Sequence, residues 1–198
     1  LCSFREFFRE KAKIGNALRQ YLRGMKYDVI VLGSGPGGYV TAIRASQLGL
    51  KTAVVEREAL GGICLNWGCI PTKALLKSAN VFEYIEHAED YGISVAAPKA
   101  DFGGMVKRSR GVADGMSKGV TFLMKKNNID VIMGDGKLLP GKKLEVTAAD
   151  GAKSILEANH IVIATGARSR ELPSMPQDGE KIIGYRKAMT LKLSLIHI

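Results

Sequence analysis

Polarity along the chain switches between short apolar runs and longer stretches with helical spacing. Residues 26–32, KYDVIVL, are a short run rich in β-branched side chains, the pattern of a strand buried on both faces. GSGPGG follows. YVTAIRASQLG then places apolar residues at helical spacing and stops at Gly49, a natural C-cap. LKTAVVE at 50–56 reads as a second buried strand. The three pieces make a β-turn-α-β unit of about 30 residues, the usual size of that motif.

From Gly68 to about Tyr91 the pattern is helical, with Pro71 near the first turn and Gly92 closing it. Residues 101–127 again predict a helix, despite several glycines, and IDVIMG (129–134) a third short strand. Residues 137–166 predict a β-meander with turns at Pro140-Gly141 and Asp150-Gly151, finishing in a buried strand, HIVIATG, at 160–166. No internal repeat or low-complexity segment interrupts this order. The expected fold class is α/β: a Rossmann-like domain with a parallel sheet plus a β-meander.

Composition changes this picture little. The chain has 198 residues, 46% of them hydrophobic and 24% charged, enough for one domain with a real core or one and a half. No apolar run reaches the ~18–20 residues of a spanning helix, so no membrane partner is expected. Three cysteines are too few for a disulfide-stapled secreted framework, which points to a reducing compartment, the cytoplasm. The net charge of +10 raises nucleic acid as a partner. Its distribution argues against one: the densest run, KKNN at 125–128, has no aromatic interleaving.

Both ends look atypical. Met25-Lys26 leads straight into the first strand, which predicts that residues 1–24 are a non-native or loose extension. Glu6 and Glu10 count against a mitochondrial transit peptide there. LKLSLIHI ends the chain without a cap, turn or partner strand.

Two motifs carry candidate chemistry. In Gly33-Ser34-Gly35-Pro36-Gly37-Gly38, glycines recur as GxGxxG between a strand and a helix. Gly33 suits the tight turn, Gly35 a close approach of pyrophosphate, and Gly38 close helix–strand packing. The helix N-terminus offers free N–H groups to phosphate. Glu56 ends the second strand, 18 residues past Gly38, where an acid binds a ribose hydroxyl and disfavours a 2′-phosphate. The bland alternative is a plain turn with a solvated Glu56.

The second motif is GGICLNWGCIPTK, residues 61–73, with Cys64 and Cys69. In a regular helix, residues five apart have Cα atoms about 8.6 Å apart, whereas a disulfide needs roughly 7 Å or less. A bond between the two therefore requires an irregular turn, and Gly61, Gly62, Asn66 and Gly68 are the residues that permit one. Cys69 then falls at a helix N-terminus, where the dipole favours thiolate. Three readings stand: a redox pair, which the residues favour, two inert buried thiols, and a zinc site. Zinc needs about four ligands; Cys2, His87, His160 and His197 have no ligand spacing, so no metal is expected.

GSGPGGYVTAIRASQLG, then VVE, then GGICLNWGCIPTKALL resembles the N-terminal part of the dihydrolipoamide dehydrogenases, a branch of the flavin-dependent disulfide oxidoreductases that also include glutathione and mercuric reductases. The likeness runs from about Met25 to about Leu191. It implies an enzyme with FAD as the bound dinucleotide. Gly33, Gly35, Pro36 and Gly38 would hold its pyrophosphate, Glu56 its ribose and Gly136 its adenine side through the backbone. Lys73 would lie near the flavin ring, and Thr165-Gly166-Ala167 would form a second flavin contact. Cys64 would be the interchange thiol and Cys69 the charge-transfer thiol.

The implied reaction oxidises dihydrolipoamide on a lipoyl carrier protein, electrons passing through the cysteine pair and FAD to NAD in a homodimer. Cell redox homeostasis and the 2-oxoacid dehydrogenase or glycine cleavage complexes are the implied settings. CLNWGCIPTK favours this branch over the CVN…CVPKK style of glutathione reductases. The family chain is more than twice as long. The expected layout is an extension over 1–24, an FAD-binding domain with the redox disulfide over 25–184, and a truncated start of an NAD domain over 185–198, inactive alone. The alternatives are another flavin disulfide reductase, or a non-catalytic nucleotide-binding module.

Overall fold

The computed structural model describes residues 26–192. The extension expected over 1–24 and the last six residues of the tail lie outside the described residues. Contacts divide the chain into two compact units: one runs to Ala59 and resumes over Phe122–Thr165, and the other holds Leu60–Thr121 and the chain from Gly166 onward.

The first unit is built on one sheet. Strands β1 (Lys26–Leu32), β2 (Thr52–Glu56), β3 (Asp130–Met133), β4 (Asp135–Leu139), β5 (Lys143–Thr147) and β6 (Lys153–Ile163) lie in the order β3-β2-β1-β6-β5-β4. The first four in that order are parallel, and β5 and β4 add on antiparallel. Helix α1 (Pro36–Gln47) crosses from β1 to β2 and buries Gly38, Ala42 and Ala45. It ends where Gly49 takes a positive φ of 82° that a side chain disfavours.

β6 is one strand with two partners: Lys153–Glu157 pairs with β5, and Glu157–Ile163 pairs with β1. The meander and HIVIATG, expected as successive strands, are thus continuous. HIVIATG is also less buried than its apolar run suggests. Ile161 packs against the core, as does Leu32, but Ile163, paired with Leu32, is 62% exposed: a strand position beside the core is not thereby covered by it.

Met133 and Asp135 sit on opposite edge strands with only Gly134 between them. Two residues span at most about 7 Å, so the sheet must roll until its edges approach. The meander thereby covers one face of the parallel strands. The core is the result: Tyr27, Ile30, Ala53, Val55 and Ile132 pack with Leu144, Val146, Leu156 and Ala158. Tyr27 is fully buried and donates its hydroxyl to Asp130 Oδ2 at 3.0 Å, which satisfies its polar end.

The second unit is helical. Helix α2 (Gly62–Trp67) and helix α3 (Cys69–Glu86) follow one another across Gly68. The helix expected to reach Tyr91 stops at Glu86, and a 3-10 turn (Ala88–Tyr91) carries on to Gly92, which takes a positive φ. Helix α4 (Phe102–Lys126), which belongs to this unit up to Thr121 and to the first unit from Phe122, is unbroken over 25 residues in spite of its glycines. Ser109, Ala113, Val120 and Met124 form its buried stripe, and apolar periodicity outweighs the glycine cost of about 1 kcal/mol each. Helix α5 (Tyr185–Ala188) is one short turn.

Candidate functional site

In the first unit the site is the turn from β1 into α1. Gly33 has φ +99°, and a Cβ there would lie 2.3 Å from the Ala164 carbonyl oxygen. A Cβ on Gly38 would lie 2.0 Å from the Gly33 carbonyl oxygen. Both glycines are required by the protein's own backbone. Gly35 is different: its φ of −63° and ψ of −178° are open to any residue, and a Cβ would meet nothing within 4 Å.

Nothing inside the unit explains glycine at 35, and a group approaching from outside would. Pro36 is the first helical residue and has no N–H, the Tyr39 amide already donates to the Gly35 carbonyl at 2.9 Å, and α1 has no side-chain cap, so the amides of Gly37 and Gly38 are left for such a group. Open amides at a helix N-terminus complement a phosphate in charge, and the space beside Gly35 leaves room for one to approach.

Glu56, at the end of β2, is buried, and its carboxylate is tied to the turn. Oε2 accepts from the Ser34 amide at 2.9 Å and the Ser34 hydroxyl at 2.6 Å. Oε1 accepts from the amides of Arg57 and Glu58, each at 2.9 Å. Four donors fill the roughly four acceptor positions of a carboxylate. Ser34 escaped the sequence reading, because an unremarkable residue between two glycines gives no signal of a partner 22 positions away.

Gly136 and Thr165 also belong to this unit. A Cβ on Gly136 would lie 2.4 Å from Leu32 Cδ1, a side-chain end that would have to turn aside to admit it. Thr165 is exposed just beyond Ala164, whose amide donates to the Leu32 carbonyl at 2.8 Å.

In the second unit the site is the cysteine loop. Cys64 lies in α2 and Cys69 is the first residue of α3; they form a disulfide with Cα atoms 4.8 Å apart. The irregular turn that such a bond demands sits at Gly68, with φ −136° and ψ −112°. A Cβ on Gly68 would stand 3.1 Å from the Ile63 carbonyl oxygen and 3.2 Å from Cys64 Cα. Gly61 and Gly62 both take positive φ at the start of α2. Asn66 Nδ2 donates to the carbonyls of Leu60 at 3.0 Å and Gly62 at 2.9 Å, which holds the loop from within.

Pro71 is buried in the first turn of α3, where its missing N–H costs little. Cys69, at the positive end of an 18-residue helix, is placed for a stabilised thiolate. Lys73 stands one helical turn on, exposed and on the same face. Gly166, with φ +68°, and Ala167 are exposed. Among the described residues no group of three or more His, Cys, Asp or Glu is arranged to hold a metal.

Two arginines complete the loop's surroundings, and neither was legible in the sequence. Arg110, on α4, donates from Nη2 to the Asn66 carbonyl, and its guanidinium carbon lies 4.3 Å from the centroid of the Trp67 ring. Arg186, on α5, lies 5.1 Å from the same ring. Arg110 Nη1 is buried without a hydrogen-bond partner, a cost of about 1–3 kcal/mol in the usual range.

A glycine turn that opens a helix from a parallel sheet, together with a cysteine pair bonded at a helix N-terminus, defines a dinucleotide-fold disulfide oxidoreductase. The family model of the pyridine nucleotide-disulphide oxidoreductases matches residues 27–195, and the chain belongs to that family. A dihydrolipoyl dehydrogenase of Zymomonas mobilis is 52% identical over 163 residues, covering 82% of this chain and 35% of the relative. One of Rhizobium etli is 51% identical, covering 82% of this chain and 37% of the relative. The chain spans about a third of the length of these curated relatives. The crystal structure of LpdA from Mycobacterium tuberculosis is 28% identical and superposes with a TM-score of 0.77, covering 85% of this chain and 38% of that one.

Proposed function

We propose that the chain is the FAD-binding, redox-disulfide part of a dihydrolipoyl dehydrogenase that acts in the cytoplasm as a homodimer, on dihydrolipoamide carried by a lipoyl protein. The observation that carries this reading is the Cys64–Cys69 disulfide at the start of α3, formed across a helix break at Gly68. The names of the relatives support the substrate.

In this reading the adenine dinucleotide's pyrophosphate sits against the Gly33-Ser34-Gly35-Pro36-Gly37-Gly38 turn. Glu56 takes a ribose hydroxyl in exchange for one of its four present donors, the Ser34 hydroxyl being the one free to rotate away, with Gly136 on the adenine side. Lys73, Thr165, Gly166 and Ala167 are the flavin contacts. FAD, when bound, takes up the electron pair and delivers it as hydride to NAD.

The chain's own chemistry is thiol exchange. A dihydrolipoamide thiolate attacks Cys64 Sγ, the Cys64–Cys69 bond breaks, and Cys69 leaves as thiolate. The second lipoyl thiolate attacks the first lipoyl sulfur and releases the Cys64 thiolate. Lipoamide is oxidised, the pair has gained two electrons, and both protons pass to base. Cys69 is the better leaving group because the helix N-terminus stabilises its negative charge.

Replacing Cys64 with Ser in the full-length protein tests the assignment. Lipoamide-dependent turnover should fall at least about a thousandfold, with FAD still bound. Turnover within a few-fold of normal would remove Cys64 from its role. A preference for glutathione disulfide over lipoamide in the unsubstituted protein would move the assignment to another branch of the family.

A further inference from the structure

We propose that Arg110 and Trp67 form a clamp that keeps the cysteine loop in its interrupted, bond-ready form while the pair is reduced. The inference rests on the reading above that Cys64–Cys69 opens and closes in turnover.

Breaking the bond removes the one covalent restraint on Leu65-Asn66-Trp67-Gly68. The loop then tends toward helix running from α2 into α3, kinked at Pro71, which has no N–H for the Trp67 carbonyl, because the two helices flank it directly. A continuous helix would carry the two Cα atoms from 4.8 Å to about 8.6 Å, beyond the reach of a disulfide. In that helix the Asn66 carbonyl would accept the amide of Ile70. Here it accepts Arg110 Nη2 instead.

The same guanidinium lies over Trp67, and Arg186 lies near the ring as well. The loop is thus held from α4 by a hydrogen bond at one residue and a stack at the next. Arg110 leaves Nη1 buried without a partner to do so. Arg110 and Trp67 are positioning residues; they act on the sulfurs only through the loop backbone.

The test is a redox titration of the full-length protein against reduced and oxidised glutathione, with thiols trapped by alkylation and counted by mass. Two glutathione thiols reduce the Cys64–Cys69 bond and become glutathione disulfide, and two electrons and two protons enter the pair. Without the clamp the reduced loop relaxes, so the reduced state gains and the disulfide becomes less favourable.

Arg110→Met should lower the equilibrium constant for disulfide formation about tenfold, an upward potential shift of about 30 mV. Trp67→Leu keeps the Asn66 hydrogen bond and should lower it about threefold. Arg110→Lys keeps a donor and should recover part of the loss. The oxidised forms should lose more stability than the reduced ones, because the disulfide-bonded loop loses the Asn66 and Trp67 contacts without being free to relax.

If Arg110→Met and Trp67→Leu both titrate within twofold of the unsubstituted protein, the clamp is refuted. Should Arg110→Met fail to fold, Trp67→Leu and Arg110→Lys decide by the same criterion. If the unsubstituted protein forms no Cys64–Cys69 bond at any glutathione ratio, the redox reading falls and the clamp with it.

Discussion

The glycine turn after β1 and the cysteine loop before α3 solve one problem by opposite means. Each must open a helix from a tight, irregular turn. The glycine turn is held by backbone against backbone: Gly33 against Ala164, and Gly38 against Gly33. The cysteine loop is held by side chains: a disulfide, the Asn66 amide on two carbonyls, and Arg110 on the Asn66 carbonyl. A turn fixed by backbone contact has a single geometry whatever is bound. A loop fixed by cross-links, one of them reversible, keeps its geometry through a redox cycle only if the others suffice.

Three glycine substitutions test that contrast. The largest effect is expected at Gly38→Ala. The new Cβ would stand 2.0 Å from a carbonyl oxygen that is part of the turn itself. A loss above about 4 kcal/mol is expected, at the exceptional end for single substitutions, read by denaturant unfolding of the full-length protein. A loss under about 1 kcal/mol would show that the turn can shift.

Gly68→Ala comes next. Its nearest neighbours stand at 3.1 and 3.2 Å, and a small movement of the loop relieves them. The expected cost is about 1–3 kcal/mol, with a disulfide that forms less readily. An unchanged melt together with an unchanged redox titration would mean that the close approach at Gly68 is not needed.

Gly35→Ala should be the mildest for stability, within about 0.5 kcal/mol, since a Cβ meets nothing within 4 Å. Retention of FAD should nevertheless weaken about tenfold or more, because the same Cβ fills the approach to the phosphates. Normal FAD retention would undo the cradle assignment.

The two regions were also unequally legible in the sequence. The glycine turn was readable because strand, turn and helix are contiguous, and GxGxxG spaces its glycines by local geometry. The need for an irregular turn between Cys64 and Cys69 was readable too, from helix dimensions alone. Ser34 as the partner of Glu56 was not, and neither was the pairing of Trp67 with Arg110 and Arg186. HIVIATG misled in one respect: hydrophobicity rightly marked it as strand but also as buried, and Ile163 is exposed.

Local events follow directly from the order of residues. These are the alternation of strands and helices, the glycine turn into α1, and the requirement that a bonded cysteine pair break its helix. All depend on residues within one or two turns of each other, where chain geometry leaves few options. Only the tertiary structure decided that β6 serves two neighbours, that the sheet rolls its meander over the parallel strands, and that Arg110 meets Asn66 and Trp67. Those depend on which distant surfaces bury each other. Hydrophobic burial is non-directional, so a linear pattern says that a face must be covered without saying by what.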